Sequence, residues 1–486
     1  MFPGNGGIGS SSAKGHTVKR LNGMDAMMLY TEAANVPMHT IKVAIVDAPD
    51  TGSFSVDAVR KVVRQRLHRF EPMRRVLVDT PYGFHRPMWR ENCPVDLAYH
   101  VRPLHLPAPC GRRELDNAIA ELIEKPLDRT RPLWEIYVVD GLADGKSAVV
   151  TKIHHALADG VASANLLAAA FDRPATVGSG PAVIDPLPTK AQLLWAATRD
   201  HLRQIAELPG LLRYTAASVR RVRRSGSRNG AQSLQAPPSF TNHRLTTGRR
   251  FATASIPFAD AKQITRELRC TINDLVLAMV AGAVRELRLR YEGRSDASLV
   301  AMVPVCLDSS PGRSAGNNFT QIPVSLPADL GDPLHRVQNS RDAAIGAKEL
   351  HTLKGPELLT RWFAYMPPVL SRTLGGWLAR TDAHNKMQNL VVSNVPGPRE
   401  QGRVSGATIT EFYSVGPLVA GSGLNITVWS YAGQLNISVL ADIVTLTDAH
   451  EVTEALIQEF SEIGSAAGVF TATTDSAQDD YQTIVA

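Results

Sequence analysis

The chain has 486 residues, a length that predicts about two domains, because one hydrophobic core rarely organises more than roughly 250–300 residues. Apolar residues make up 44% of the sequence and charged residues 20%, a globular composition, and no run of about 18 apolar residues predicts a membrane-spanning helix. The net charge is +6, but Lys190–Arg250 holds twelve basic and two acidic residues, so this segment carries +10 and the rest −4. This regional basicity argues against a protein that binds nucleic acid over its whole surface, and no nucleic-acid partner is predicted.

The spacing of the cysteines and the composition of the termini indicate the cellular compartment of the protein. No Cys-x-x-Cys pair occurs among its four cysteines, which are Cys93, Cys110, Cys270 and Cys306. They are predicted to be free thiols in a reducing cytosol, with no disulfide framework and no zinc site. Residues 1–16 are rich in Gly and Ser and lack the regions of a signal peptide, so they are predicted to be a disordered tail, as are residues 466–486. The protein is therefore predicted to be cytoplasmic.

Residues 17–180 are predicted to form an N-terminal α/β domain. Helices are predicted at Val18–Thr31, Val56–Leu67 and Glu114–Glu124, and the second of them has apolar residues at helical spacing. Strand-like runs occur at Thr40–Asp47, Trp134–Val139 and Ser147–Ile153. A turn at 141–145 is predicted to fold the last two strands into a central hairpin, and Phe70–Trp89 is predicted to form another.

Residues 181–249 are predicted to be a basic helical linker, and residues 250–465 a second α/β domain. Within the linker, Gln192–Val222 has a helical pattern with a predicted break at Pro209-Gly210, and residues 225–239 are predicted to be mobile. The second domain is predicted to begin with a strand at Phe251–Ile256 and to end with a helix at Asp448–Gly464. Between them, prolines divide the helical segment Pro356–Leu378.

The most informative segment is Thr151–Ser163, which carries the pattern His-His-x-x-x-Asp-Gly between a predicted strand and a predicted helix. His154, His155, Asp159 and Gly160 therefore lie at a strand-to-helix turn, where a rigid scaffold can hold side chains at a cleft. Histidine has an unperturbed pKa of about 6.5 and serves as a general base near neutral pH. Asp159 is placed to fix the turn or orient a ring, and Gly160 removes a Cβ where the helix begins.

Two other interpretations of the histidine pair stay open. Both rings could simply form hydrogen bonds at a domain interface. The pair and Asp159 could also supply metal ligands. However, adjacent residues that leave a strand point in opposite directions, and no further ligand cluster appears, so no metal site is predicted.

Five short motifs give the chain a resemblance to a known family. They are Leu21-Asn-Gly-Met-Asp25, Pro132-Leu133-Trp134, the His-His turn, Asn273-Asp274 and Ser393-Asn394-Val395-Pro396-Gly397-Pro398. In this order, over residues 17–465, they resemble the bacterial wax ester synthase/diacylglycerol acyltransferase family of the chloramphenicol acetyltransferase-like, CoA-dependent acyltransferases. The His-His motif alone is shared with peptide-synthesis condensation domains, so the set of motifs carries the resemblance.

The resemblance implies a fold and a reaction. The fold is α/β, with two similar chloramphenicol acetyltransferase-like domains, each a mixed β-sheet flanked by helices, and an active-site tunnel between them. The reaction is transfer of a long-chain acyl group from acyl-CoA, the co-substrate, to diacylglycerol or a long-chain alcohol, giving triacylglycerol or wax ester. It needs no acyl-enzyme and no bound cofactor. His155 would be the general base, His154 its supporting neighbour, and Asp159 a structural residue.

The other motifs supply further candidate residues. Asn273 is implied to position substrate or support the oxyanion, although capping of the helix Leu275–Arg290 is an equal alternative for Asn273 or Asp274. Substrate contacts are assigned to Pro132, Leu133, Trp134, Asp274, Ser393, Asn394 and Gly397. The favoured alternative for Trp134 is a core anchor, and for Ser393–Pro398 it is a turn in the tunnel wall. The arginine partner of Asp159 is not identified.

The basic linker leaves its own alternatives open. Apolar residues such as Trp195 and Ile205 interleave with arginines along Gln192–Arg228. This pattern predicts either an amphipathic helix at the inner membrane surface or a lipid droplet, or a solvated helix packed on one domain. Trp362–Trp377 is a second candidate for lipid contact. Two other functions also stay open, which are acyl transfer from a carrier-protein-bound donor and non-catalytic lipid binding by the same fold.

Overall fold

A computed structural model describes residues 18–47, 54–170, 185–225, 235–308, 310, 313–380 and 386–470. The predicted N-terminal tail, most of the predicted C-terminal tail and most of the segment 225–239 lie outside these ranges. Within them, no helix is both long enough and apolar enough to cross a membrane.

Helices and strands alternate along the described residues. The helices are α1 (Gly23–Thr31), α2 (Val56–Arg66), α3 (Leu97–His100), α4 (Arg112–Glu124), α5 (Gly160–Ala170), α6 (Lys190–Arg224), α7 (Phe258–Glu267), α8 (Ile272–Glu292), α9 (Pro333–Lys354), α10 (Leu358–Tyr365), α11 (Pro368–Arg380) and α12 (His450–Ala466). The strands are β1 (Val18–Arg20), β2 (His39–Asp47), β3 (Val76–Val78), β4 (Met88–Arg90), β5 (Val101–Pro103), β6 (Trp134–Val139), β7 (Ser147–His154), β8 (Arg249–Pro257), β9 (Leu299–Cys306), β10 (Phe319–Leu326), β11 (Leu390–Pro396), β12 (Arg403–Val404), β13 (Ala407–Val415), β14 (Leu424–Tyr431) and β15 (Gln434–Asp442).

Two six-stranded mixed sheets form the framework of the fold. The first has the strand order β12-β13-β2-β7-β6-β5, and the second β10-β9-β11-β14-β15-β8. The parallel pairs are β5–β6, β9–β11 and β11–β14. β13 comes from the second half of the chain, yet it pairs antiparallel with β2, from Thr408 opposite Asp47 to Val415 opposite Ile41. Both halves of the chain therefore contribute to the first sheet.

Alternate residues of β7 cover opposite faces of this sheet, because side chains along a strand point to alternate sides. Val150 packs with Leu115 of α4 in one core cluster, and Lys152 donates to the carbonyl of Leu122 on the same helix at 2.8 Å. Ile153 belongs to the other core cluster and lines a cavity beneath α2. A residue of β7 therefore faces either α4 or the cavity beneath α2, depending on the side of the sheet to which its side chain points.

Most of the predicted elements are confirmed, and two differ. β6 and β7 form the predicted central hairpin, and β3 and β4 form the second. The helix predicted at Val18–Thr31 begins only at Gly23, because the residues before it pair with β4 as β1. α6 passes through Pro209 without the predicted break. Because proline has no backbone N–H, the carbonyl of Ile205 accepts no hydrogen bond from within the helix. This part of α6 is exposed, so water can donate to that carbonyl instead.

Candidate active site

The His-His turn joins the end of β7 to the start of α5, as predicted. β7 ends at His154, which lies opposite His39 of β2 in the ladder. The backbone N–H of His155 then donates to the carbonyl of Met38 at 2.8 Å and continues the ladder by one residue. Because neighbouring residues of a strand point to opposite faces, the two rings enter different surroundings.

His154 is buried and forms part of the internal structure of the turn. Its Nδ1 accepts the backbone N–H of Ala156 at 3.0 Å, so the ring proton lies on Nε2. Nε2 faces a carboxylate oxygen of Glu32 at 3.3 Å, and Arg129 binds the other oxygen. Burial raises the pKa of Glu32, but His154 and Arg129 outweigh burial and lower that pKa to about 2. An anionic Glu32 therefore holds His154 in place at neutral pH.

A chain of three side chains, Asp25, Asn317 and His155, fixes the proton on the ring of His155. The amide nitrogen of Asn317 donates to Asp25 Oδ1 at 2.8 Å and to the carbonyl of His155 at 2.7 Å. Since a carboxylate and a carbonyl can only accept, the amide oxygen of Asn317 must accept from His155 Nδ1, at 2.9 Å. Nδ1 thus carries the ring proton, and Nε2 keeps a free lone pair.

Burial shifts the pKa values of His155 and Asp25, the two titratable groups in this hydrogen-bonded series. It lowers the pKa of His155 below the usual value for histidine, although hydrogen bonding and Asp159 oppose the shift, so the ring is neutral at pH 7. Burial raises the pKa of Asp25 to about 6, although the hydrogen bonds from Asn317 lower it. At pH 7 an anionic Asp25 therefore holds Asn317, and a neutral His155 presents Nε2.

Asp159 closes the turn by binding a segment from the second half of the chain. Oδ1 accepts from Arg313 at 2.8 Å and from the backbone N–H of Ala162 at 3.0 Å, as the cap of a helix does. Oδ2 accepts from the backbone N–H of Asn318 at 2.9 Å. Arg313 also donates to the carbonyl of Gly316 at 3.0 Å. Arg313 is therefore the arginine partner that the sequence left unidentified.

Substitution of Arg313 by methionine is expected to lower the free energy of unfolding by about 2 kcal/mol, because the buried carboxylate of Asp159 then loses its charged donor. Chemical denaturation would measure the change. The matched control is Arg294→Met, which removes a solvent-exposed pair with Asp296 and should change stability by less than about 0.5 kcal/mol. Equal stability of the two variants would contradict the role assigned to Arg313.

The segment Ser393–Pro398 lies against the first turn of α5. A Cβ at Gly160 would lie 3.3 Å from a methyl carbon of Val395, so glycine allows α5 to begin directly beside β11. Gly397 is more restricted, because its Cβ would lie 2.2 Å from the indole nitrogen of Trp429. Gly160 therefore permits close packing at the His-His turn, and Gly397 permits close packing of this segment on β14.

Pro132 and Leu133 lead into β6, which begins at Trp134 and lies beside the turn. The backbone N–H of His154 donates to the carbonyl of Leu133 at 3.0 Å. Trp134 is 1% exposed, and its indole N–H donates to the carbonyl of Met73 at 2.8 Å. Trp134 is thus a core anchor, and it also forms part of a cavity wall.

That cavity lies between α2 and the first sheet and has a volume of about 170 Å³. Its walls are mainly aliphatic and aromatic, and they include Val59, Leu67, Phe70, Trp134, Ile153 and Phe412. Ile153 belongs to β7 and lies two residues before His155 in the sequence. A mainly apolar cavity next to the turn suits a hydrocarbon chain better than a polar ligand.

Asp274 takes part in a capping box at the start of α8. Thr271 is the N-cap residue, because its hydroxyl accepts the backbone N–H of Asp274 at 3.2 Å and the carboxylate of Asp274 accepts the backbone N–H of Thr271 at 2.9 Å. Thr271, and not Asn273, is thus the N-cap residue, while the expected capping role of Asp274 is confirmed, since Asp274 is the N3 residue of the capping box. Within the described residues His155 forms no side-chain hydrogen bond with Asn273, Ser393 or Asn394. Their roles at the site, and those of Asp274 and Gly397 in substrate binding, stay predictions.

No individual role for Asp25, Asn317 or Arg313 was apparent from the sequence. Asp25 ends the Leu21–Asp25 motif, but a motif at a helix start did not reveal which partner its carboxylate would bind. Asn317 is 162 positions from His155 in the sequence, and no local pattern indicated that the two residues would be partners. Across the described ranges, no cluster of three or more His, Cys, Asp or Glu side chains could hold a metal ion.

Comparison with known proteins relates the chain to a family. Residues 21–276 match the model of the wax ester synthase/diacylglycerol acyltransferase catalytic domain, and residues 315–464 match that of the WS/DGAT C-terminal domain. A protein of Mycobacterium tuberculosis strain H37Rv, provisionally named a diacylglycerol O-acyltransferase, is 55% identical over 457 residues, which cover 93% of this chain and 97% of that protein. A second one from this strain is 34% identical over 466 residues, covering 93% and 98%.

Solved structures show the same relationship. The wax ester synthase/diacylglycerol acyltransferase from Marinobacter aquaeolei VT8 is 25% identical with a TM-score of 0.65, and the match covers 93% of this chain and 100% of that one. The first condensation domain of the calcium-dependent antibiotic synthetase is 17% identical with a TM-score of 0.55, covering 93% and 95%, and it shares the fold. The predicted fold class is confirmed, and the chain belongs to the wax ester synthase/diacylglycerol acyltransferase family.

Proposed function

We propose that the protein is an O-acyltransferase that moves a long-chain acyl group from acyl-CoA to the hydroxyl of diacylglycerol, a long-chain alcohol or both. The arrangement around His155 carries the proposal. Asn317 binds the proton on Nδ1, burial favours the neutral ring, and Nε2 forms no hydrogen bond with the described part of the chain. A general base needs such an available lone pair. The family and the relatives support transfer to diacylglycerol or to an alcohol.

In the proposed reaction, His155 Nε2 takes the proton of the acceptor hydroxyl as the hydroxyl oxygen attacks the thioester carbonyl carbon. The new carbon–oxygen bond forms, and the tetrahedral oxyanion then collapses with cleavage of the carbon–sulfur bond. The imidazolium returns the proton to the leaving thiolate, so CoA and the ester are released and His155 ends neutral. Asn317 holds the Nδ1 proton throughout, and the anionic Asp25 behind it favours the positive charge that the ring carries between the two transfers.

Two features of the structure support this scheme. Within the described residues His155 binds no serine or cysteine by a hydrogen bond, which favours direct attack by the acceptor over an acyl-enzyme. The mainly apolar cavity beside β7 can accommodate part of a hydrocarbon chain. We propose that the enzyme works at the cytoplasmic membrane surface or at lipid droplets, where such apolar acceptors collect.

The direct test is incubation of the purified protein with palmitoyl-CoA and, side by side, diacylglycerol or hexadecanol. Release of free CoA together with triacylglycerol or wax ester is the expected result, and the ratio of products gives the acceptor preference. A palmitoyl group on an acyl carrier protein replaces palmitoyl-CoA in a parallel reaction. Faster turnover of the carrier-bound donor would overturn the proposed donor. Lipid binding without turnover of any thioester would favour a non-catalytic lipid-binding protein.

The pH profile should follow the charges of Asp25 and His155. We expect kcat/KM to be constant from about pH 8 to pH 7 and to fall below about pH 6. Protonation of His155 removes the base, and its lowered pKa places that event below the usual range for histidine. Protonation of Asp25 near pH 6 weakens its hold on Asn317. Initial rates of CoA release between pH 5 and pH 8.5 measure the profile, and a midpoint above pH 7 would contradict this assignment.

A further inference from the structure

Two helices and one turn expose large apolar side chains to solvent. On α6, Trp195 is 71% exposed, Leu202 63% and Ile205 67%. Tyr82, in the short turn Pro81–Gly83, is 91% exposed, and on α11 Val369 is 63% exposed and Trp377 53%. We call these six residues the exposed apolar surface. Scattered apolar side chains are normal on proteins, but a cluster of large ones marks a place of interaction.

Direct contacts join the three elements that carry this surface. His201 of α6 donates to the carbonyl of Phe84, just after the turn, at 2.8 Å. On the other side of the turn, Asp79 accepts from Arg372 of α11 at 3.4 Å. The turn therefore lies between α6 and α11, and the six side chains belong to one region of the protein.

α6 packs on the protein with one face and leaves a second apolar stripe uncovered. Leu193, Ala197, Leu211 and Ser218 form the buried face. The uncovered stripe recurs every three or four residues, as neighbours on one side of a helix do, and comprises Leu202, Ile205, Pro209, Leu212, Ala216 and Val219. The two interpretations of this helix left open by the sequence are thus compatible, because α6 is packed and amphipathic on its outer side.

Positive charge borders the stripe. α6 contains eight basic and two acidic residues, a net charge of +6. Asp200 is paired with Arg20 at 2.6 Å, which draws it towards the protein. Arg203, Arg213 and Arg220 are exposed and bind no carboxylate within the described residues, and each directly follows a residue of the stripe. An apolar stripe edged by arginines is complementary to a surface of hydrocarbon and phosphate.

One helix, α1, separates the exposed apolar surface from the candidate active site. A Cβ at Gly375 of α11 would lie 2.6 Å from the carbonyl oxygen of Tyr30, and one at Gly23 would lie 2.6 Å from the backbone nitrogen of Ala364. α10 and α11 thus pack tightly on α1. α1 carries Asp25, which holds Asn317 beside His155.

We propose that the exposed apolar surface inserts into an anionic phospholipid surface, with the arginines of α6 on the headgroup phosphates. This inference rests on the proposed function, because its lipid acceptor and product reside in such a surface. A second copy of the chain is a poorer partner. A two-fold interface would bring two identical helices of charge +6 together, and like charges repel.

The test uses the full-length protein and sedimentation with vesicles of phosphatidylcholine, alone or mixed with phosphatidylglycerol. Wild type is expected to prefer the anionic vesicles and to be released by salt. The double variant Leu202→Asp, Ile205→Asp should lower the partition coefficient at least about tenfold, because both side chains lose apolar contact with the membrane. The matched control is Val444→Asp, at a residue that is 61% exposed outside this surface, and it should bind as wild type does.

A second readout separates this inference from the proposed function. With hexanoyl-CoA and hexanol, which are water-soluble, the double variant should turn over as fast as wild type if the surface serves membrane docking. Loss of vesicle binding in the double variant supports the inference even if wild type shows no turnover, in which case the proposed function fails instead. Unchanged vesicle binding would overturn the inference. A dimeric wild type that the double variant converts to a monomer would also overturn it, since a second copy would then cover this surface.

Discussion

Replacement of His155 by alanine should lower kcat by about 10³-fold while KM stays within about twofold, because the variant keeps the binding surfaces and loses only the proton acceptor. Side chains that transfer a proton in the transition state contribute about 10²- to 10⁴-fold to a rate. Initial rates of CoA release at varied acceptor concentration, with the ester product quantified in parallel, measure both parameters.

The matched control for this variant is His105→Ala, because His105 is exposed in a loop and makes no hydrogen bond within the described residues. It should leave kcat unchanged. If His155→Ala kept more than a tenth of the wild-type kcat, another group would have to be the base, and the proposed mechanism would be wrong.

Substitution of Asn317 by leucine should reduce kcat by about 10²-fold and the free energy of unfolding by about 2 kcal/mol. The variant leaves His155 Nδ1 without an acceptor, so the proton can move to Nε2 and block the base. It also removes one donor from the buried carboxylate of Asp25. Steady-state kinetics and chemical denaturation measure the two effects separately.

The pH profile distinguishes positioning of His155 by Asn317 from a general loss of structure. The hydrogen bond from Nδ1 to Asn317 raises the pKa of His155, so its removal should move the acid limb of kcat/KM to lower pH. Asn318→Leu is the control, because Asn318 binds Asp159 through its backbone N–H, which leucine retains. A profile for Asn317→Leu that is lower everywhere but unshifted would indicate a merely structural role.

Local sequence signals were enough to predict the turn that carries the histidines. β7 alternates its faces, a Gly-containing turn returns the chain beside β6, and an Ala-rich helix follows Gly160. Each of these signals depends on residues that are close together in the sequence. The same holds for the opposite directions of His154 and His155, which follow from their adjacency at the end of a strand.

The partners of that turn could not be predicted, because they come from distant parts of the chain. Asn317 and Arg313 reach the turn only through the folding of the second half against the first. An asparagine or arginine in a loop carries no local mark of its partner. The course of α6 through Pro209 was missed for another reason, since the broken hydrogen bond is tolerated where water can reach the free carbonyl.

The position of β13 has a consequence for how the protein is made. β2 lies between β13 and β7, so its free edge is covered only after roughly 360 further residues have been synthesised, which takes about 20–70 s at roughly 5–20 residues per second. During that interval β2 presents unpaired backbone groups that can recruit other chains. Asn317 and Arg313 also arrive late. The ribosome-bound first half is therefore expected to be an aggregation-prone, inactive intermediate that depends on chaperones until Val415 has emerged.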